Sequence, residues 1–221
     1  MKKVLIVSYY WPPMGGGGVQ RWLKMTKYIK NFGWEPIIFT SSGADISLHD
    51  ESLFDDVAKD IEVIKCNIWE PFRLYKRLTG NNAEKINPGF LKQKKGNSFL
   101  DSVSVWIRGN FFIPDAKRFW HRPSVNSLSS YLSKNHVDAI VSTGPPHTTH
   151  LIAYNISNKF RLPWLADFRD PWTNIDFYDQ LKLTKWADRK HKKLEKQILL
   201  SADRVVTVSE SWAQDFKRIS G

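Results

Sequence analysis

Four consecutive glycines are the first candidate for chemistry in this sequence. They follow an apolar run that ends at Ser8 and precede a helix-like pattern. The four residues are Gly15, Gly16, Gly17 and Gly18. Without a Cβ in the way, backbone N–H groups there can approach a phosphate at the positive end of a helix, so we predict a ligand-binding loop. We expect Gly17→Val to lower function strongly, because a β-branched residue resists an open φ range.

This glycine run matches none of the common nucleotide-binding patterns. The dinucleotide fingerprint G-x-G-x-x-G fails at its last position, and no Gly-Lys-Ser/Thr follows as Walker A requires. No acidic residue closes the second predicted strand, where the ribose partner of an NAD site stands. The loop is therefore predicted to be neither an NAD site nor a P-loop.

The second candidate loop runs from Ser142 to His150 and offers hydroxyls and imidazoles at the start of a predicted helix. Thr143 and His147 lie near the end of the preceding strand, and we predict that they bind a ligand. His147 fits a ligand-binding role and a structural role about equally. His150 fits the role of a buried structural histidine better.

The third candidate loop places two carboxylates on either side of a guanidinium, at Asp167, Arg169 and Asp170. Such a cluster can hold a sugar hydroxyl, tune a general base, or pair internally. We expect Arg169 to pair with one aspartate and the other aspartate to face the cleft. Pro171 biases the backbone of Asp170 towards an extended conformation. We predict catalytic roles for Asp170 and Asp167.

Alternating strands and helices are predicted to position these loops. The sequence predicts strands at 4–8, 36–40, 61–65, 137–142, 163–168 and 204–208, and helices at 19–32, 101–112, 123–134, 147–159, 178–200 and 210–219. This alternation is typical of a doubly wound, mostly parallel, Rossmann-like α/β domain, in which ligands bind at the carboxyl ends of the strands. Residues 67–122 form an irregular insertion that is rich in basic and aromatic residues, such as the run Lys92–Lys95.

Composition and charge narrow the class of partner. The 221 residues are 42% hydrophobic and 25% charged, which is typical of a soluble globular protein. Lys and Arg outnumber Asp and Glu by 33 to 22, so the net charge of +11 favours anionic partners: nucleic acid, acidic lipid or phosphorylated small molecules. Cys66 is the only cysteine and no apolar run approaches membrane-spanning length, so we expect a cytoplasmic protein.

Several of the ten tryptophans stand beside basic residues, which also suits a membrane interface. These are Trp22, Trp106, Trp120 and Trp186. The basic run Lys182–Lys196 could lie on an anionic membrane in the same way. For each tryptophan the simpler interpretation is a core residue, and for the basic run it is a solvated helix face.

The order of these motifs along the chain resembles a known enzyme family. The motifs are Tyr10-Trp11-Pro12-Pro13 with Gly15–Gly18, Ile113-Pro114-Asp115, Thr143-Gly144-Pro145-Pro146-His147, Asp167-Phe168-Arg169-Asp170-Pro171-Trp172, and Ala202–Ser209. Together they resemble the N-terminal, acceptor-side half of family 4 glycosyltransferases with the two-Rossmann GT-B fold. The bacterial members that build surface polysaccharides are the most similar.

The resemblance implies transfer of a sugar from a nucleotide-sugar donor to a saccharide or polyprenyl-linked acceptor, with retention and without a metal or other cofactor. It implies that Gly15–Gly18 face the donor phosphates and the acceptor. We then predict that Thr143, His147 and Arg169 are the acceptor-binding residues. Many members have a histidine after the fifth strand, where this chain has Asp170. The second domain of the family, with its Glu-x7-Glu motif, does not follow here. We therefore expect residues 1–221 to fold without turning over a nucleotide-sugar.

Two other classes of function compete with this interpretation. A nucleic-acid-binding domain would suit the net charge, but the sequence has no RRM aromatic signature, zinc-finger spacing or recognisable helix-turn-helix, so we expect no nucleic-acid partner. A non-catalytic binding module at the inner face of the plasma membrane would suit the basic and aromatic segments.

Overall fold

The computed structural model describes residues 1–44, 48–69 and 99–221, without the side chains of residues 99–102 and 104. The described strands are β1 (Lys2–Ser8), β2 (Trp34–Ser42), β3 (Glu62–Asn67), β4 (Ala139–Gly144), β5 (Trp164–Phe168) and β6 (Arg204–Thr207). The described α-helices are α1 (Gly17–Tyr28), α2 (Phe99–Phe111), α3 (His121–Leu132), α4 (Thr148–Phe160), α5 (Lys185–Ser201) and α6 (Glu210–Ser220).

The six strands form one parallel sheet in the order β3-β2-β1-β4-β5-β6. This is the strand order of a doubly wound Rossmann sheet, so the predicted fold class is confirmed. The run Val4–Val7 is almost wholly buried at the centre, because helices cover both faces of a parallel sheet. The layout is consistent with one half of a GT-B fold.

The fifth predicted helix, 178–200, is wrong in its first turns. The structure has a short 3₁₀ helix at Tyr178–Leu181, and α5 begins only at Lys185. Between them Lys182 adopts the left-handed backbone conformation, with φ of 50°. Thr184 then caps α5, since its side chain accepts a hydrogen bond from Ala187 N over 3.2 Å.

The tryptophans divide between the core and the surface. Trp22 and Trp120 are 5% and 0% exposed, so they are core residues and not membrane contacts. Trp106 and Trp186 are exposed. The basic run Lys92–Lys95 and much of the predicted insertion at 67–122 lie outside the described residues. Of the helices that the structure describes, none combines the length and the apolar character needed to cross a bilayer.

Candidate functional site

The three candidate loops meet at one edge of the sheet. β1 and β4 are neighbours with Ser8 beside Thr143, and β4 and β5 are neighbours with Thr143 beside Asp167. The loops therefore leave the carboxyl ends of three adjacent strands. The chain order also reverses between β1 and β4, which is where open α/β sheets form a ligand crevice.

At the entry to α1, Gly15 N–H donates to the Leu48 carbonyl and Val19 N–H to the Gly16 carbonyl, which leaves the N–H groups of Gly17 and Gly18 without a partner among the described residues. Gly16 is the N-cap residue with φ of 94°, no side chain caps the helix, and its first turn contains no acidic residue. The strained backbone position is thus Gly16. Gly17 has open space around it and lies in the helix, so the φ argument for Gly17→Val was wrong.

Gly18 is the glycine that permits a close approach. A Cβ there would lie 2.8 Å from Cδ2 of Tyr10 and 3.3 Å from Nη1 of Arg169. The Arg169 guanidinium therefore lies directly against the first turn of α1. It also lies 5.9 Å from the Tyr10 ring centroid, and it donates from Nη2 to the Pro145 carbonyl over 2.6 Å. A single arginine thus links the glycine loop to the loop after β4.

Asp167 is a fully buried anchor between β5 and α1. Its Oδ2 accepts hydrogen bonds from Trp22 Nε1 over 2.8 Å and from Thr143 Oγ1 over 2.9 Å. Its Oδ1 lies 3.2 Å from a guanidinium nitrogen of Arg21, as an ion pair without hydrogen-bond geometry. The side chains of Asp167 and Thr143 are 0% and 2% exposed, so both face the interior. Their catalytic and acceptor-binding roles stay predictions.

The expected pairing of Arg169 with an aspartate is wrong, because Arg21 has that role. Arg169 makes no aspartate ion pair within the part of the chain that the structure describes, and its enclosed Nε has no partner there. Burial lowers the pKa of Arg169, an effect that the nearby charge of Asp170 opposes. The edge therefore presents two guanidinium groups, of which Arg21 alone is neutralised by a buried carboxylate.

Asp170 is the half-buried carboxylate of this edge. Across residues 1–44, 48–69 and 99–221 its side chain makes no hydrogen bond or ion pair, and it lies between Arg169 and the buried Pro171. This is the arrangement expected for the aspartate that faces the cleft. Its catalytic role stays a prediction.

His147 is the residue before α4 and is 7% exposed. Its ring stacks on Trp172 with a centroid distance of 4.8 Å and an interplanar angle of 2°. Burial, with smaller contributions from the nearby His191 and Arg169, lowers the pKa of His147 to about 3. At neutral pH this imidazole is therefore uncharged and offers hydrogen bonds rather than a positive charge.

Sequence reasoning missed the residues of α5 that hold the loop after β5. Glu195 accepts from the backbone N–H groups of Trp172 and Thr173 over 3.2 Å each. His191 Nδ1 accepts from Trp172 Nε1 over 3.0 Å. Burial raises the pKa of Glu195 and lowers that of His191. Ala187, His191 and Glu195 are spaced four residues apart on the inward face of α5, and this spacing is the signal that could have identified them. The seven basic residues of the run Lys182–Lys196 obscured that pattern.

No metal site is found among the side chains that the structure describes. No group of three or more His, Cys, Asp or Glu residues is placed to hold an ion there. The candidate site is therefore built from backbone N–H groups, two arginines, one half-buried carboxylate and one neutral imidazole.

Comparisons with known proteins leave the family of this chain open. No family model matches it, and no curated protein matches it. Among solved structures, the chain is similar to apo UGT2 of Phytolacca americana, a UDP-glycosyltransferase, with 11% identity and a TM-score of 0.39. The match covers 77% of this chain and 30% of that one, so the chain spans less than a third of that protein. The fold assignment rests on the strand order and register described above.

Proposed function

We propose that this chain is the acceptor-side domain of a glycosyltransferase that moves a sugar from a nucleotide-sugar donor to a saccharide or lipid-linked acceptor. The motif order that resembles retaining, metal-independent family 4 enzymes of surface polysaccharide synthesis supports this proposal. In that family a second α/β domain binds most of the donor. The edge described above would form one wall of the cleft between the two domains.

The open N-terminus of α1 beside Arg169 is the observation that carries this proposal. Backbone N–H groups at the positive end of a helix stabilise an anion, and no side chain caps those at the start of α1. Arg169 adds a guanidinium at 3.3 Å from the Cβ position of Gly18. Guanidinium groups match phosphate oxygens in geometry as well as in charge. This wall suits the diphosphate of a nucleotide-sugar.

Asp170 and His147 supply the groups for the acceptor in this proposal. Asp170 is a half-buried carboxylate beside Arg169, and it can accept a hydrogen bond from a sugar hydroxyl. His147 is neutral and offers a second hydrogen bond near the same strand ends. Asp167 and Thr143 hold α1 against β5 from the interior, where they fix the position of the glycine loop.

The binding experiment is a titration of residues 1–221 with nucleoside diphosphates, followed by calorimetry or NMR. Arg169→Gln removes a charged hydrogen-bond donor and should weaken binding on the order of 10-fold. Arg189→Gln is the matched control, because Arg189 is an exposed arginine on α5, outside the edge. Equal affinity in the two variants would contradict the proposed site.

The transfer experiment uses the same chain with a panel of nucleotide-sugars and acceptors. We expect no multiple turnover, because one wall of a two-domain cleft cannot enclose the donor. Sustained transfer by residues 1–221 would show that the second domain is not required.

We also propose that exposed aromatic and basic side chains of this chain bind an anionic membrane surface. Trp186 is 61% exposed, and Lys190 lies 4.8 Å from its ring centroid on the same helix. Trp69 and Phe111 are exposed as well. Co-sedimentation with vesicles containing anionic lipid should fall when Trp186 is replaced by Ala, whereas binding to neutral vesicles should be weak for both proteins. Equal sedimentation of the two proteins would contradict this partner.

A further inference from the structure

A buried chain of hydrogen bonds runs from β5 to an imidazole of α4. Trp164 donates its Nε1 proton to the hydroxyl oxygen of Ser142 over 2.9 Å. That oxygen lies 2.8 Å from Nδ1 of His150. The three residues are 1%, 0% and 0% exposed, so the chain of hydrogen bonds is enclosed along its length.

The direction of this chain determines which nitrogen of His150 carries the proton. An indole nitrogen only donates, so the Ser142 oxygen accepts from Trp164 and keeps its own proton for another group. Within the described residues His150 Nδ1 is the acceptor that this hydroxyl contacts. A buried hydroxyl proton without an acceptor is unfavourable, so Nδ1 accepts it and the ring carries its proton on Nε2.

Two enclosed ring nitrogens then approach each other beside Gly144. His150 Nε2 and His147 Nδ1 both lack a hydrogen-bond partner among the described residues. They lie 2.5 Å and 3.3 Å from the position that a Cβ on Gly144 would occupy. This places them within reach of one bridging water. A water that accepts from His150 Nε2 needs an acceptor for its own protons, and His147 Nδ1 is the enclosed nitrogen within its reach that can accept one.

We infer that His150, oriented by Ser142, is a positioning residue that holds His147 in its Nε2–H form, so that His147 presents a neutral N–H donor to an oxygen atom of the ligand. This inference rests on the proposed function, which places His147 in the acceptor site. It adds a restriction: His147 recognises a hydroxyl, carbonyl or phosphate oxygen and does not take a proton from it. Gly144 is required because a Cβ would stand between the two rings.

The surroundings of His147 keep this donor uncharged. Trp172 covers one face of the ring, while Arg169, His191 and His150 are the titratable and charged groups near it. Burial holds the pKa of His147 far below neutral, to about 3. The ring therefore keeps one proton, on Nε2, throughout the neutral range.

The experiment is NMR of residues 1–221 with ¹⁵N-labelled histidine rings. At pH 7, His147 and His150 should both show the resonances of the Nε2–H tautomer. Ser142→Ala removes the hydroxyl that orients His150, so both rings should shift towards a mixture of tautomers. In the unmodified protein the His150 ring stacks on Phe168 with a centroid distance of 4.3 Å, and His150→Phe keeps an aromatic ring there. This variant should shift the tautomer equilibrium of His147.

His121 is the internal reference in the same spectra. Asn155 Nδ2 donates to its Nε2 over 2.9 Å, so His121 should show the opposite tautomer and should not change in either variant. A His147 protonated on Nδ1 in the unmodified protein overturns the inference, and this result does not depend on the folding of a variant. A His147 tautomer that stays unchanged in folded Ser142→Ala and His150→Phe overturns it as well.

Failure of the proposed function has a different signature. If the proposed function is wrong, His147→Ala leaves the binding of acceptor saccharides unchanged although the tautomers are as expected. If the inference is wrong, the tautomers differ from expectation whether or not ligands bind.

Discussion

The helices that follow the loops after β1 and β4 differ in how their N-termini are capped. Both leave the same edge of the sheet, yet α1 has no side-chain cap, whereas α4 is capped from a distant residue. Asp115 accepts from the backbone N–H of Thr148 over 2.8 Å and from its hydroxyl over 2.8 Å. The protein thus supplies the anion at α4 itself and leaves the N-terminus of α1 for an external one.

The side chains around the two helix N-termini also differ in charge. Arg21 is one turn into α1 and Arg169 lies beside its first turn, where an anion would need positive charge. His147 and His150 lie at the start of α4, where burial keeps them neutral. Under the proposed function, the difference predicts one subsite for a charged group and a neighbouring one for neutral oxygen atoms.

The largest expected effect is on the proposed sugar transfer, measured in a protein that carries the proposed second domain. Asp170→Asn keeps the size of the side chain but removes its charge, so kcat should fall about 10²–10⁴-fold if Asp170 is a general base. The melting temperature should stay the same, because Asp170 is half-buried and makes no hydrogen bond with the described residues. A kcat near the unmodified value would show that Asp170 is not the base.

The next effect is on stability, and it concerns the aspartate that faces inward. Asp167→Ala leaves Trp22 Nε1 and the Thr143 hydroxyl without their acceptor and removes the partner of Arg21. Each buried donor left without an acceptor should lower the free energy of unfolding by about 1–3 kcal/mol, measured by denaturant titration. Asp176→Ala on the exposed surface is the control and should change it little. A small effect of Asp167→Ala would mean that Asp167 does not anchor α1.

The pH dependence of stability should report the neutral histidine. The pKa of His147 is about 3 in the folded chain against 6.5 for a free side chain, so the unfolded chain binds more protons between these values. Stability should therefore fall as the pH drops below 6.5, by about 2–3 kcal/mol over two pH units from this residue. Glu195 and Asp115 act in the opposite sense, because burial raises their pKa values.

His147→Phe isolates that contribution. The ring can still stack on Trp172, but it no longer titrates, so denaturation measured between pH 6.5 and 4.5 should show a smaller loss of stability than in the unmodified protein. If the free energy of unfolding changed with pH equally in both proteins, His147 would not be the buried, neutral group described here.

The smallest effect concerns the cap of α4. Asp115→Ala removes the carboxylate that accepts from Thr148, and this should cost about 1–2 kcal/mol of unfolding free energy, by thermal or denaturant melting. It should also open the N-terminus of α4 to inorganic phosphate. Unchanged stability, or no gain in phosphate binding near Thr148, would contradict the proposed division between the two helix ends.

Local patterns in the sequence were sufficient for the sheet but not for the site. Strands of a parallel sheet are buried on both faces and therefore have continuous apolar sequences. Because β1 and β4 show this composition, they could be recognised from the sequence alone. The partners of Asp167 depend on contacts across 145 residues, from Trp22 to Asp167, and no local pattern records them. The cap of α4 by Asp115 is a contact of the same kind, over 33 residues.

The orientations of Asp167 and Asp170 could be predicted from the sequence only in part. The sequence indicates that one of Asp167 and Asp170 is paired and that the other faces the cleft. The choice between them depends on the alternation of side chains along β5, which places Asp167 against α1. Its partner, Arg21, stands one turn into α1 and could be recognised only after the packing of α1 on β5 was known.

The most direct test of the two helix ends is a titration of residues 1–221 with inorganic pyrophosphate, followed by the backbone amide resonances in NMR. We expect saturable shifts at Gly17 and Gly18, with little change at Thr148 and Thr149, because Asp115 already occupies that helix end. Arg169→Gln should weaken the binding that these shifts report. Shifts centred on Thr148, or the absence of saturable shifts at Gly17 and Gly18, would contradict the account.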